Sequence, residues 1–124
     1  MSFEDKEYLK LGSKSIKGHV RAVSFEEGDF IIFYIPSLNL SSYGRTDEEA
    51  ELMMKDSVLP DFGHALMTKP KALVFRELKK LGWERNRLFE KDLSKKAHID
   101  KEGILREFEL DEDTVISEKE FELV

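Results

Sequence analysis

The residues of this 124-residue chain that could do chemistry are three histidines, several clustered carboxylates and one aromatic–basic pair. His19, His64 and His98 lie far apart, and no HExxH motif is present. A resident metal ion needs three or four donors at short, recurrent spacing. The pattern therefore predicts no metal site and histidines that are surface or half-buried. There is no cysteine, which excludes disulfides, thiolate nucleophiles and Cys-based zinc sites. Hydroxyl nucleophiles remain, but no Gly-x-Ser-x-Gly elbow occurs, and Ser41-Ser42 has no base within predictable reach. Gly12 and Gly18 do not form a phosphate-cradling loop, so no cofactor is expected.

The carboxylates have structural explanations. A two-metal nuclease draws several acidic side chains from strands onto its ions. Here the apolar runs that read as strands hold almost none. Glu26, Glu27 and Asp29 fall in a turn, where solvated side chains are ordinary. Asp47, Glu48 and Glu49 open a helix and suit the positive end of its dipole, with Glu51 following. Tyr43-Gly44-Arg45 is the one aromatic–basic pair that reads as exposed, whereas Phe30, Phe33 and Tyr34 lack basic neighbours and read as core. No enzyme is expected. The residues that could meet a partner are Glu26, Glu27, Asp29, Tyr43, Arg45, Asp47, Glu48 and Glu51.

Charge is unevenly spread. Net charge is −6, made of −5 over residues 1–68, +6 over 69–96 and −7 over 97–124. An acidic total argues against general nucleic-acid binding. The basic band reads first as a solvated helix face. Hydrophobic residues make up 40% and charged residues 37%, enough apolar surface for a core in a chain of single-domain size. Met1–Lys10 lacks the apolar stretch of a signal peptide, and the longest apolar run, Phe30–Ile35, is far too short to span a bilayer. A cytoplasmic location is the expectation, consistent with the missing cysteine.

The elements that must position these residues follow from periodicity. Residues 1–14 show no clear period and read as loose or a short helix. Ile16–Phe25 reads as a strand, Glu26–Asp29 as a turn around Gly28, and Phe30–Ile35 (FIIFYI) as a strand central in its sheet or covered on both faces. Pro36 ends it, and Leu38–Tyr43 reads as a third strand. Thr46 and Glu49 form a capping box, with Glu49 expected to reach back to the amide of Thr46. Ala50, Met53, Met54, Ser57 and Val58 then form a buried stripe until Pro60 kinks or ends the helix. Lys71–Leu81 reads as a second helix with Ala72, Val74, Phe75, Leu78 and Leu81 inward, Gly82 at C′ and Trp83 packing back on the core. Further on, Leu88-Phe89, Ile104–Leu110, Val115-Ile116 and Phe121–Val124 read as strands or an ordered tail. The prediction is one α+β domain over residues 1–124. A three-stranded antiparallel meander is followed by two helices and one or more C-terminal strands, with a core over 15–83 and an extension over 84–124.

The run Gly28–Leu38 followed by Tyr43-Gly44-Arg45-Thr46-Asp47-Glu48-Glu49-Ala50 resembles the signature of HicB-family antitoxins: a Gly turn, an apolar strand, Pro-x-Leu, a short strand, then Gly-x-Thr-x-Glu-Glu-Ala. Leu78–Trp83 (LKKLGW) is similar to an element of longer family relatives. The resemblance covers about forty residues, roughly 20 to 60. It implies a β-β-β-α-β core, a partial ribonuclease-H-like fold without nuclease carboxylates. It also implies homo-oligomers, a dimer first, and neutralisation of a small mRNA-cleaving toxin, HicA, by direct binding. Two departures stand out. An acidic C-terminal segment replaces the usual DNA-binding unit, which puts operator binding in doubt, and Asn39-Leu40-Ser41 replaces a Gly-Cys pair. The competing expectations are an orphan homo-oligomeric or ligand-binding module of the same kind, and an enzyme retaining nuclease chemistry.

Overall fold

The computed structural model describes residues 7–11, 16–85, 92–95 and 101–123. The elements along the chain are β1 (Glu7–Leu11), β2 (Ile16–Glu27), β3 (Phe30–Ile35), β4 (Leu40–Gly44), α1 (Asp47–Met53), a π-helical turn (Met54–Val58), α2 (Leu59–Met67), α3 (Lys71–Lys80), β5 (Glu84–Arg85), β6 (Asp92–Lys95), α4 (Lys101–Glu107) and β7 (Ser117–Leu123). The class is mixed α+β, and the seven strands form one sheet in which every recorded pairing is antiparallel.

The 12-residue strand β2 organises that sheet. β7 pairs along its residues Gly18–Ser24. β1 pairs with 16–19 and β3 with 23–27. Gly18, His19, Val23 and Ser24 are paired on both sides, so β1 and β3 must share the edge opposite β7, in tandem. Among the described residues, Val20, Arg21 and Ala22 have no strand partner on that edge. The sheet therefore has two wings: β1, β6 and β5 on one half of β2, and β3 with β4 on the other.

Side-chain alternation sends Val20, Ala22, Phe33 and Ile35 to one face, where Ala50, Met54, Leu66, Val74, Leu78 and Trp83 cover them. Val23, Phe25 and Tyr34 point to the other, under Ile104 of α4 and Phe108. The second half of the FIIFYI strand, Phe33–Ile35, is thus covered on both sides, while its first residue, Phe30, is exposed. Burial raises the Tyr34 hydroxyl above its ordinary pKa, with Glu107 adding a smaller push. The C-terminal segment supplies part of this sheet: Phe121 and Leu123 of β7 sit in the main core.

Local chemistry explains the boundaries. β2 runs to Glu27, so the turn is Gly28-Asp29 alone. Gly28 has φ +63° while Asp29 keeps a negative φ, the pattern of a type II′ hairpin turn. Leu38 and Asn39, predicted to start a strand, instead form a turn: their amides bond to the carbonyls of Ile35 and Pro36. Asn39 tolerates its φ of +54° because its short polar side chain favours that region. The helix continues through Pro60. Proline has no amide for the normal i−4 carbonyl, and the widened turn ahead of it, where the Leu59 N–H bonds to Met54 O, absorbs the mismatch. α3 ends in a Schellman motif: Trp83 N–H bonds to Leu78 O, Gly82 N–H to Lys79 O, and Gly82 has φ +102°.

Several expectations are corrected. Glu7–Leu11, within the segment read as loose, is strand β1. Ile104–Leu110 is not a strand: residues up to Glu107 are helical, because Ile104 and Phe108 satisfy the i,i+4 spacing as well as the alternation. Ser57 and Ala72, predicted inward, are exposed. Leu88-Phe89 and His98 lie outside the described residues.

Gly44 is required by close approach. A Cβ there would stand 2.6 Å from the Ala50 amide nitrogen and 2.6 Å from Glu49 Cβ, where β4 passes beneath the start of α1. Gly44→Ala must push strand and helix apart, and we expect a loss of roughly 1–3 kcal/mol, the usual cost of overpacking. Urea denaturation checks this; a change within about 0.5 kcal/mol, the range of ordinary surface substitutions, would show that the approach is not tight.

Candidate functional site

The β3–β4 wing brings several candidate residues together. Register pairs Glu27 with Phe30 and Ile32 with Tyr43, so Glu27, Phe30, Tyr43 and the following Arg45 share the α4 face of the sheet. Tyr43 is 53% exposed and Phe30 40%. Their rings meet edge to face at 5.6 Å, and the Arg45 guanidinium lies 5.9 Å from the Phe30 centroid. Such contacts add about 0.5–1.5 kcal/mol each and hold the side chains in place without covering them. Reading Phe30 as core is therefore corrected. Phe33 and Tyr34 are buried, but Phe30 sits beside the turn, at the end of the strand where α4 no longer reaches.

The acidic candidates fall into two groups along the chain. Glu26, Glu27 and Asp29 are exposed at the hairpin tip, with Glu26 on the opposite face from Glu27. Asp47 and Glu48 are exposed at the start of α1, two and three residues beyond Arg45. None of these five makes an ion pair among the described residues. Glu27 thus stands opposite Phe30 in register, and Asp47 and Glu48 follow Arg45, whose guanidinium lies over the Phe30 ring.

Two acidic residues are tied up instead. Glu49 accepts the Arg45 N–H at 2.9 Å, not the Thr46 amide as predicted, because Arg45 is where β4 turns into the helix. The other half of the box forms as expected, Thr46 Oγ1 accepting from Glu49 N–H at 3.1 Å. Glu51 is removed from the contact set. It accepts from Lys119 of β7 at 2.5 Å, pairs with Lys55 at 3.3 Å and is 24% exposed. Its role is to fasten α1 to the far edge of the sheet.

The histidines and Arg21 among the described residues lie apart from this wing. His19 stacks on Tyr8 at 5.2 Å and lies 3.9 Å from Glu122. Arg21 donates through Nε to Glu118 at 2.8 Å. His64 is exposed on α2. Among the described residues no group of three or more His, Asp or Glu is placed to hold a metal ion, and no helix is long and apolar enough to cross a membrane. The outward face of α3 carries Arg76, Lys79 and Lys80 without ion pairs among the described residues, which fits the solvated-face reading of the basic band.

Comparison with known proteins found no matching family model, no matching curated protein and no matching solved structure.

The hydrogen bond from Lys119 lowers the Glu51 pKa, burial opposes it, and Lys55 adds to the lowering. A depressed carboxylate contributes stability that is present above its unfolded value and lost as pH falls through its folded value. Glu51→Gln should cost about 0.5–1 kcal/mol at neutral pH, the range of a partly exposed pair. The difference from wild type should close as the solution is taken below the carboxylate range. Urea titrations across pH measure it; a gap constant down to acid would remove the ion pair as its source.

Proposed function

We propose that this chain is an antitoxin-type binding protein that neutralises a small, basic, RNA-cleaving toxin by covering it, as the HicB family that its sequence resembles does with HicA. The observation that carries the reading is the exposed Phe30–Tyr43 pair, with Glu27 on the same face of the sheet and Asp29, Asp47 and Glu48 close to it along the chain, none of them in an ion pair among the described residues. A protein that grips RNA presents a cationic surface. An acidic face steers such a partner into place and raises the association rate. Aromatic anchors at the centre of a contact supply binding energy that rim charges do not. Neither job needs a metal ion, cofactor or nucleophile. The order of elements supports the reading as well: hairpin, short strand, capped helix, in the sequence that the family signature requires.

One observation favours a second reading, an orphan homo-oligomeric module without a toxin. β4 carries no charged residue, and an uncharged terminal strand can pair with its own copy. The two readings separate in one experiment. The chain is co-expressed with the small basic product of the neighbouring gene, growth is followed, and the complex is recovered by pull-down. We expect rescue of growth and a stable complex, weakened at least tenfold in Tyr43→Ala combined with Glu48→Lys. No complex and no rescue would end the antitoxin reading.

A further inference from the structure

We infer that the partner engages this face as an extended basic segment that adds a strand to the edge of β4 that no described strand covers. The inference rests on the binding role proposed above, and deepens it by naming what docks and how.

Open sheet edges are normally guarded, because their unpaired amides and carbonyls invite another strand. Three strands end the sheet among the described residues: β4, β5 and β7. β7 (SEKEFEL) carries charge at four of its first six positions, and β5 is two charged residues long. Both carry the usual guards. β4 (LSSYG) has no charge, no proline and no positive-φ residue. It is the wing's terminal strand, and it is the least protected of the three.

What lies beside that edge specifies the occupant. On the α4 face, Tyr43 on β4 and Phe30 one strand further in form an exposed aromatic shelf. A strand laid against β4 would place every second side chain toward that face. Those side chains meet aromatic surface and should be apolar or aromatic. Glu27 is the register partner of Phe30, Asp29 stands next to Phe30 in the turn, and Asp47 and Glu48 follow Arg45 along the chain; all four are exposed and make no ion pair among the described residues. Charge complementarity therefore asks for lysine or arginine flanking the apolar positions. Main-chain bonds to β4 would supply affinity, while the shelf and the acids would supply selection. A five-residue edge accommodates about five residues of the incoming segment, at roughly 3.4 Å each.

The test uses the full chain and an eight-residue synthetic peptide alternating lysine with valine and tyrosine. A second peptide is identical except for N-methylation of the amides on one edge, and a third is methylated on the other edge. Binding is followed by amide chemical shifts and hydrogen exchange. We expect shifts and slowed exchange at residues 40–44, and at least a tenfold loss of affinity for one of the methylated peptides. Tyr43→Ala should weaken binding five- to tenfold. Ser41→Lys, which places a charge on the exposed side of β4, should weaken it tenfold or more with an unchanged urea midpoint. Equal binding of all three peptides, or protection confined to another element, would overturn strand addition. A concentration-dependent dimer that protects 40–44 without peptide would assign the edge to a second copy and overturn it equally. Growth rescue with indifferent N-methylation would leave the antitoxin reading standing and remove this mode. Peptide pairing without rescue would do the reverse.

Discussion

One buried carboxylate joins the two wings of the sheet. β2 has two antiparallel partners in tandem on a single edge, and where they meet the Arg21 amide has no strand to bond to. Glu7, at the start of β1, accepts that N–H at 2.7 Å and the Ser37 hydroxyl at 2.7 Å through the same oxygen. The Ser37 carbonyl in turn accepts the Trp83 indole N–H at 2.9 Å. Glu7 is 6% exposed and Trp83 1%. β1, β2, the turn before β4 and the end of α3 thus converge on one chain of hydrogen bonds. Burying a carboxylate is costly, and hydrogen bonds to a charged acceptor are among the stronger ones that can offset it. Without them the split edge of β2 would leave backbone and side-chain donors unsatisfied in the core, at about 1–3 kcal/mol each.

The candidate site depends on this joint. The β3–β4 hairpin hangs from β2 by the pairing of residues 23–27 and is fixed at its other end by Ser37. α1 then locks onto β4 through the Ser42 hydroxyl, which donates to the Ala50 carbonyl at 2.6 Å, and through the close approach at Gly44. α1 is also tied across the sheet by Glu51 and Lys119. With the helical face of β4 packed and its far edge unpaired among the described residues, the aromatic pair is presented on a strand held from one side. A site held in this way loses little side-chain entropy when a partner arrives.

How much of this was legible depended on whether the signal was local. The FIIFYI strand, the Gly28 turn, the Thr46 cap and the Schellman ending at Gly82 each declare themselves within a few residues, and all are present. β1 is not legible because five residues, EYLKL, with a glutamate at the first inward position, are too few to show a period. The Glu7 joint could not be read at all: glutamate is rarely buried, and nothing near it announces a distant amide in need of an acceptor. α4 was misread because Ile104 and Phe108 satisfy two periods at once. Of the eight candidate contact residues, Tyr43 and Arg45 do share a face with Glu27, while Glu51 is withdrawn by a lysine far along the chain. Phe30 was missed as a site residue because its strand is otherwise core; its place directly after the turn was the available clue.

The joint at Glu7 can be tested through the Arg21 amide. Native-state hydrogen exchange compares wild type with Glu7→Leu, which keeps bulk but removes the acceptor. The Arg21 amide and the Trp83 indole N–H should lose protection together, with stability falling by about 2–4 kcal/mol as buried donors are left unpaired. Unchanged protection at Arg21, with stability equal to or above wild type, would show that the two wings are joined by packing alone.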